Sequence, residues 1–166
     1  MDWLWTPWRY RYVSSLKPAG AGDPAGRCIF CDKAASSDDR GNYIVLRAER
    51  NFAILNLYPY TSGHLMIAPY EHVATLAEAH PETLAEMMRL TARAERTLRE
   101  LYHPDGLNIG MNVGESAGAG VAGHIHMHVL PRWTGDGSFM TTVAETRVLP
   151  ETLETTYERV KAALSV

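Results

Sequence analysis

Short runs of apolar residues, separated by turn-forming residues, predict strands in the first half of the chain. Residues 43–47 and 52–57 are rich in β-forming apolar side chains, and the polar residues between them suit a turn, so we expect two paired strands. A connection that contains Pro59 and Gly63 leads to a third predicted strand at residues 64–69. These three segments predict an antiparallel sheet.

Apolar positions at helical spacing predict two helices. Residues 81–102 begin with Pro81, which suits the first helical position, and Met88 and Leu98 recur on the predicted apolar face. Residues 150–164 repeat the pattern over a shorter length. We interpret the apolar residues of both helices as core.

Three histidines occupy alternate positions in the last predicted strand, residues 124–132. Successive side chains of a strand point to opposite faces, so His124, His126 and His128 share one face, and the apolar residues between them are buried on the other. A further strand is predicted at residues 107–113. Antiparallel strands with two helices predict an α+β fold.

The net charge of the chain argues against some kinds of binding partner. The chain has 166 residues and a net charge of −3, which argues against nucleic acids and membrane surfaces, since both bind basic proteins. No apolar run approaches the length that crosses a bilayer, and residues 1–12 lack the pattern of a signal peptide. We therefore expect a cytoplasmic protein.

The chain divides into an arm and one domain. We expect residues 1–27 to form an aromatic and basic arm with a linker, and residues 28–166 to form a single domain. For the tryptophans of the arm, a core position is favoured over a dimer contact or a base-stacking surface, and these are Trp3, Trp5 and Trp8.

Cys28 and Cys31 are the only cysteines of the sequence and form a Cys-x-x-Cys pair. A redox pair of this kind sits early in a βαβ pattern, whereas here the pair follows a Pro/Gly/Ala-rich linker, so half of a zinc site is the better interpretation. A structural zinc has four ligands. Spacing alone does not select the other two from the candidates His64, His72, His80, His103 and the three alternating histidines.

The loop at residues 114–123 contains four glycines and predicts an anion site beside the histidines. Glycines allow backbone N–H groups to approach an anion, although many such loops are simply mobile turns. A neutral imidazole can attack phosphorus, and a neighbouring imidazole can hold a proton or stabilise an oxyanion. The rival is a hydrolytic metal site made of all three histidines, and the cysteine pair argues against it because it offers a softer site.

Residues 124–130, His-Ile-His-Met-His-Val-Leu, resemble the His-φ-His-φ-His-φ-φ motif of the histidine triad (HIT) family of nucleotide hydrolases and transferases. Residues 52–59 and 63–69 resemble the ribose-binding strand pair of that family, and residues 107–114 resemble its strand entering the phosphate loop. The resemblance implies an antiparallel sheet with two helices that extends across a homodimer.

The resemblance also implies roles for individual residues. His126 matches the nucleophile that takes up the nucleotidyl group, and His128 matches a phosphate-facing partner. The implied nucleotide contacts are Asn56 at the ribose, His64 at the edge of the site, Asn112 at the phosphates, and Gly118 and Gly120 in the glycine-rich loop. For the two asparagines, hydrogen bonding at a strand end is the alternative.

The same resemblance implies a structural zinc ion. Members that carry Cys-x-x-Cys bind zinc with it and with two histidines, which match Cys28, Cys31, His72 and His124 here. The three alternating histidines would then be divided, with His124 binding metal and the other two facing substrate.

Residues 4–12 and 131–133 resemble the branch of the family that phosphorolyses diadenosine tetraphosphate. That branch keeps a serine near the position of Gly120, which this sequence lacks, so backbone amides or Ser116 would replace it. We expect cleavage of adenine dinucleoside polyphosphates through a nucleotidyl-histidine intermediate. The alternatives are a phosphoramidate or dinucleotide hydrolase that ignores orthophosphate, and a zinc-stabilised nucleotide-binding scaffold with little turnover.

Overall fold

The computed structural model describes residues 28–137, 141 and 149–164. The predicted arm with its tryptophan cluster lies outside these residues. Within them, five strands form one sheet, namely β1 (Ile44–Arg47), β2 (Asn51–Leu55), β3 (Leu65–Pro69), β4 (Gly106–Gly110) and β5 (Met127–Arg132). The α-helices of the same part of the chain are α1 (Ile29–Ala35), α2 (Pro81–Tyr102) and α3 (Leu153–Leu164).

The sheet is antiparallel throughout and has the strand order β1-β2-β3-β5-β4. Strand β5, the last strand in the described part of the chain, therefore lies in the interior of the sheet, with β4 at one edge. His128 in β5 pairs with Met66 on one side and with Gly110 on the other. This register places the last of the alternating histidines in the middle of the sheet.

The two faces of the sheet are covered differently. One face packs on α2 and α3, where Ile67, Val129 and Val160 are completely buried. The opposite face carries a smaller apolar cluster around Phe30 and Phe52, next to α1. Because side chains alternate along a strand, the histidines lie on this second face. The predicted alternation is confirmed, with Ile125 and Val129 in the larger core.

Helix α2 has the predicted limits, but one methionine of its predicted apolar face is exposed. Pro81 is in its first turn, and His103 ends it in a left-handed conformation with φ of 44°. Met87 is 1% exposed, whereas Met88 is 56% exposed, so the prediction that Met88 is core is wrong. The buried stripe includes threonines, and Thr91 donates its hydroxyl to the carbonyl of Met87. A threonine whose hydroxyl is satisfied within its own helix can join a core.

The short helix α1 was not predicted, and its presence makes three helices in the described residues where two were expected. Strand β5 begins at Met127, and not at residue 124 as predicted, so His124 and His126 lie in the segment that leads into it. Strand β3 ends at Pro69, which has no N–H group to donate to the ladder. The N–H of Ile125 donates to the carbonyl of Val73, which lies beyond the end of β3.

The other predicted limits differ by a few residues. Strand β4 ends at Gly110 and not at residue 113, and α3 begins at Leu153 and not at residue 150. In α3, Tyr157, Val160 and Leu164 are buried, as predicted. In the described part of the chain, no helix is both long and apolar enough to cross a membrane.

Candidate functional site

Three histidine rings meet on the face of the sheet opposite α2 and α3. The ring of His128 lies 4.9 Å from that of His126 and 5.1 Å from that of His64, measured between centroids. The ring of Phe30 covers His126 at 4.9 Å. The structure thus brings the predicted nucleophile, its predicted phosphate-facing partner and His64 into one cluster.

His126 is buried, and its backbone contact determines its tautomer. Its Nδ1 lies 2.9 Å from the carbonyl oxygen of His124. A carbonyl oxygen only accepts, so Nδ1 carries the proton and Nε2 keeps its lone pair. Burial lowers the pKa of His126, which keeps the ring neutral at pH 7. A neutral imidazole with a free Nε2 lone pair is a nitrogen nucleophile.

His128 is half-buried and makes its hydrogen bond to another ring. Its Nδ1 lies 2.9 Å from Nε2 of His64. Burial, and to a lesser degree the neighbouring His126, lower the pKa of His128 to about 4. The ring is therefore neutral at pH 7, and it acts toward a phosphate as a hydrogen-bond donor or acceptor and not as a cation.

His64 is buried, at 1% exposure. It directly precedes β3, and its Nδ1 accepts from the N–H of Tyr60 over 3.2 Å. The side chain of Asn56, which follows β2, lies next to it, with Nδ2 at 3.4 Å from the same nitrogen. Asn56 also accepts from the N–H of Tyr58, so it does make the strand-end hydrogen bond considered as its alternative.

The glycine-rich loop contains a short 3₁₀ turn at Glu115–Ala117. Gly118 ends the turn with φ of +89°, a conformation that favours glycine. Asn112 donates from Nδ2 to the carbonyl of Gly118 over 3.3 Å and so closes the loop. Gly120 is exposed in open space. The loop is thus a shaped turn held by the predicted phosphate-side amide.

A second cluster lies beside the first and consists of the four predicted metal ligands. One ligand atom from each residue lies within 4.8 Å of all the others, and the residues are Cys28, Cys31, His72 and His124. Sγ of Cys28 is 3.3 Å from Nδ1 of His124, and Sγ of Cys31 is 3.3 Å from Nδ1 of His72. A tetrahedral zinc ion holds two sulfurs and two nitrogens within about 4 Å of one another, so the donor set fits zinc.

Local structure explains how these ligands converge. Cys28 directly precedes α1 and Cys31 lies in its first turn, so the two thiols project from adjacent points of one helical turn. His124 Nε2 lies 2.9 Å from the carbonyl oxygen of Pro69, which requires a proton on Nε2 and leaves Nδ1 as the ligand atom. Burial and then the hydrogen bond with Cys28 raise the pKa of Cys31 to about 11, so a metal ion would have to displace a proton from this thiol.

A groove of about 860 Å³ lies along the end of β5, and Tyr60 is the residue of its lining that also contacts the histidine cluster. Its walls include Leu130 and Arg132, which lie on the same side of the strand as His128, together with Tyr60 and Trp133. The guanidinium of Arg132 donates to both carboxylate oxygens of Asp136.

Sequence reasoning missed the aromatic residues around the cluster. Tyr60 stacks on His128 at 6.4 Å between centroids, and Phe30 contacts both His124 and His126. For Phe30, the sequence did contain a signal, which is its position between the two cysteines. A metal site that binds both cysteines and His124 would bring the ring of Phe30 close to the histidines.

The chain is similar to known proteins over most of its length. Residues 40–135 match the family model described as the HIT domain. The chain is 39% identical over 157 residues to an AP-4-A phosphorylase of Mycobacterium tuberculosis, which covers 92% of this chain and 79% of that protein. Among solved structures, it resembles a Zn-bound histidine triad family protein from Mycobacterium smegmatis, with a TM-score of 0.67, 36% identity and coverage of 83% of this chain and 93% of that one.

A further solved structure, a hypothetical histidine triad nucleotide-binding protein from Sulfolobus tokodaii, matches with a TM-score of 0.66 at 29% identity, covering 83% of this chain and 92% of that one. The family match at residues 40–135 includes all five described strands and α2.

Proposed function

The chain belongs to the HIT family of enzymes, and we propose that it cleaves adenine dinucleoside polyphosphates, such as diadenosine tetraphosphate, through a covalent intermediate on His126. The observation that carries this proposal is the hydrogen bond from Nδ1 of His126 to the carbonyl of His124, because it leaves the Nε2 lone pair free. The similarity to a protein named AP-4-A phosphorylase supports the substrate class.

In the first step, Nε2 of His126 attacks the α-phosphorus of the substrate. An N–P bond forms while the bond from that phosphorus to its bridging oxygen breaks, and the distal nucleotide leaves with the electron pair. The imidazole keeps its Nδ1 proton, and the carbonyl oxygen of His124 stabilises the positive charge that the ring acquires. His128 and the amides of the glycine-rich loop stabilise the phosphate oxygens, and the groove along β5 holds the distal part of the substrate.

In the second step, an oxygen of the acceptor attacks the same phosphorus, the N–P bond breaks, and its electron pair returns to Nε2 of His126. Orthophosphate as acceptor yields ADP, and water yields AMP. We propose orthophosphate, in keeping with the name of the relative. In the loop at residues 114–123, Ser116 supplies the hydroxyl side chain nearest to the position where the sequence has Gly120.

The four clustered cysteine and histidine ligands would hold zinc. A zinc ion bound by four protein ligands has no open position for substrate. It would therefore supply a structural cross-link between the segments that carry the ligands. The Zn-bound state of the similar Mycobacterium smegmatis protein supports this assignment. Cys28 and Cys31 would tie α1 to the segment that leads into β5, and thus place Phe30 over His126.

We also propose that the chain forms a homodimer through β4. Among the described residues, this strand is at the edge of the sheet and has no strand partner on its outer side. Ile109 is 43% exposed there, and Asn108 and Gly110 are also exposed. Pairing with β4 of a second copy would continue the sheet across both subunits.

Product analysis with and without orthophosphate tests the function. The protein is incubated with diadenosine tetraphosphate, and nucleotides are separated by ion-exchange chromatography. The proposal predicts ADP only when orthophosphate is present, with none formed by His126→Ala. AMP at an equal rate under both conditions would identify the hydrolase, and binding without turnover would identify the scaffold.

A further inference from the structure

Asn56 has an orientation that its backbone contact defines. One of its terminal side-chain atoms lies 3.0 Å from the backbone nitrogen of Tyr58. A backbone N–H only donates, so this atom is the amide oxygen. The amide nitrogen must then be the atom that lies 3.4 Å from Nδ1 of His64. An amide nitrogen also only donates, and its N–H therefore points toward His64.

His64 consequently has donors on one side of its ring. The N–H of Tyr60 reaches Nδ1 of His64 over 3.2 Å, and the amide of Asn56 approaches the same nitrogen. A ring nitrogen that accepts hydrogen bonds carries no proton. His64 is therefore a neutral imidazole with its proton on Nε2, and this proton points to Nδ1 of His128 over 2.9 Å.

The direction of that bond fixes the next ring. Nδ1 of His128 accepts from His64, so the proton of His128 is on Nε2. In the described part of the chain, Nε2 of His128 has no hydrogen-bond partner. We propose that His64 is a positioning residue whose tautomer, set by the N–H groups of Tyr60 and Asn56, makes His128 present an Nε2–H donor to the phosphates of the substrate.

This inference rests on the proposed function and gives the two neighbouring rings opposite roles. The contact with the carbonyl of His124 leaves Nε2 of His126 as an acceptor with a free lone pair. The contact with His64 leaves Nε2 of His128 as a donor. The ring centroids are only 4.9 Å apart, so one substrate phosphate group can meet a nucleophile and a hydrogen-bond donor together.

Burial of His64 strengthens its hydrogen bonds to Tyr60, Asn56 and His128, because water does not compete for them. His64 is 1% exposed, and its ring is flanked by that of Tyr60 at 4.9 Å. A carboxylate at position 56 would act in the opposite sense, since it only accepts and its charged hydrogen bond is about twice as strong as a neutral one. Asn56→Asp should therefore move the proton of His64 to Nδ1, and His128 would then have to donate from Nδ1.

Long-range ¹⁵N NMR spectra of the imidazole rings test this directly in the zinc-loaded protein without substrate. We expect unprotonated Nδ1 and protonated Nε2 on both His64 and His128 in the wild type. Asn56→Ala is the matched control, because it removes the side chain while the N–H of Tyr60 remains, and it should keep these tautomers. Asn56→Asp should reverse both.

A wild-type spectrum with a proton on Nδ1 of His64 or His128 would overturn the inference, as would an Asn56→Asp spectrum identical to that of Asn56→Ala. Kinetics give a second readout. Both variants lose the amide group of Asn56, but only Asn56→Asp should remove the proton from Nε2 of His128. The kcat of Asn56→Asp should therefore fall about 10²-fold below that of Asn56→Ala. Equal kcat values would contradict the role of the tautomer. The spectra require no turnover, so they remain decisive even if the proposed reaction is wrong.

Discussion

His126 donates a hydrogen bond from Nδ1 to the carbonyl oxygen of His124 over 2.9 Å. The side chain of His124 lies in the candidate metal cluster, with Nδ1 3.3 Å from Sγ of Cys28. One residue therefore contributes its imidazole to the metal site and its backbone carbonyl to the candidate nucleophile. The two sites share this residue, so a substitution that disrupts the metal site should also change the position of His126.

Cys28→Ser should remove the metal and weaken the fold. The wild type should contain one zinc ion per chain, and the variant should contain none, as measured by elemental analysis. Loss of a structural metal is among the largest single-residue effects, so we expect a loss of about 4 kcal/mol or more in the free energy of unfolding. Activity should fall as well, because the carbonyl of His124 would no longer be held in place.

The double variant Cys28→Ser/Cys31→Ser is the control for this experiment. Both thiols bind the same ion, so the second substitution should cost little once the first has released the metal. Zinc retained at full occupancy in Cys28→Ser would rule out the proposed ligand set.

His128 should make the stability depend on pH in a defined window. Its pKa is about 4 in the folded protein against 6.5 for an ordinary histidine, because burial and His126 disfavour the charged ring. The unfolded chain thus binds a proton as the pH falls below 6.5 while the folded protein does not, and stability decreases from there down to about pH 4. Above pH 6.5 the contribution is constant.

This window is measured as the difference in unfolding free energy between the wild type and His128→Gln at several pH values. The subtraction removes effects of acid on the metal ligands, which both proteins share. The advantage of the wild type should shrink steadily from pH 7 to pH 4.5. A difference that does not vary with pH would show that the ring titrates normally.

Glu86 should stabilise the turn between β1 and β2 against α2. Its carboxylate accepts from the N–H of Arg50 and from Nδ2 of Asn51, each over 2.8 Å. Burial raises the pKa of Glu86, but these hydrogen bonds outweigh it and lower the pKa below its usual value. Nδ2 of Asn51 also donates to the carbonyl of Thr83 over 3.1 Å, so Glu86→Ala leaves one of its two N–H groups without an acceptor. This variant should cost about 1–3 kcal/mol in urea unfolding.

The matched control is Glu82→Ala on the same helix, where the carboxylate is exposed and its partner is His80. We expect a change within about 0.5 kcal/mol for this variant. Equal losses in the two variants would mean that the contacts of Glu86 contribute nothing specific.

Two substitutions in the glycine-rich loop should have opposite effects. Gly118 has φ of +89°, so Gly118→Ala should lose about 1–2 kcal/mol of stability through backbone strain, although a Cβ would meet only Nδ2 of Asn112, at 3.7 Å. At Gly120 the backbone is not left-handed and a Cβ meets nothing within 4 Å. Gly120→Ala should therefore be neutral or gain up to about 1 kcal/mol. Thermal unfolding of both variants measures this, and a loss at Gly120 alone would show that the loop conformation differs from the one described.

Local patterns in the sequence predicted the five strands and the two longer helices of the described residues, and the opposite faces of the histidines and the apolar residues in the triad strand. Alternation placed Ile125 and Val129 in the core and the histidines opposite them, because side-chain direction in an extended segment depends only on position. Helical spacing also placed Met88 on the buried face of α2, where the structure buries Met87 and exposes Met88, because spacing alone does not fix the direction of a helix face to within one residue.

Which residues form the metal cluster and the histidine cluster depends on contacts between residues far apart in the sequence, and local patterns do not predict such contacts. Cys28 meets His124 across 96 positions, and Cys31 meets His72 across 41. Spacing alone did not show which histidines complete the metal cluster. The path of the chain through β3 and β5 determines this, because it brings His72 and His124 to the two cysteines. The resemblance to the HIT family named the four ligands, and the structure brings them together. The tautomers of His64 and His128 likewise depend on Tyr60 and Asn56, whose contacts appear only in the folded chain.

Trapping of the nucleotidyl enzyme tests the central claim most directly. The zinc-loaded protein is mixed with diadenosine tetraphosphate in the absence of orthophosphate, quenched in base to preserve the acid-labile N–P bond, digested and mapped by mass spectrometry. The account predicts an adenylyl group on His126, absent in His126→Ala and discharged as ADP when orthophosphate is added before the quench. Turnover by His126→Ala at the wild-type rate, or an adenylyl group on another residue, would contradict it.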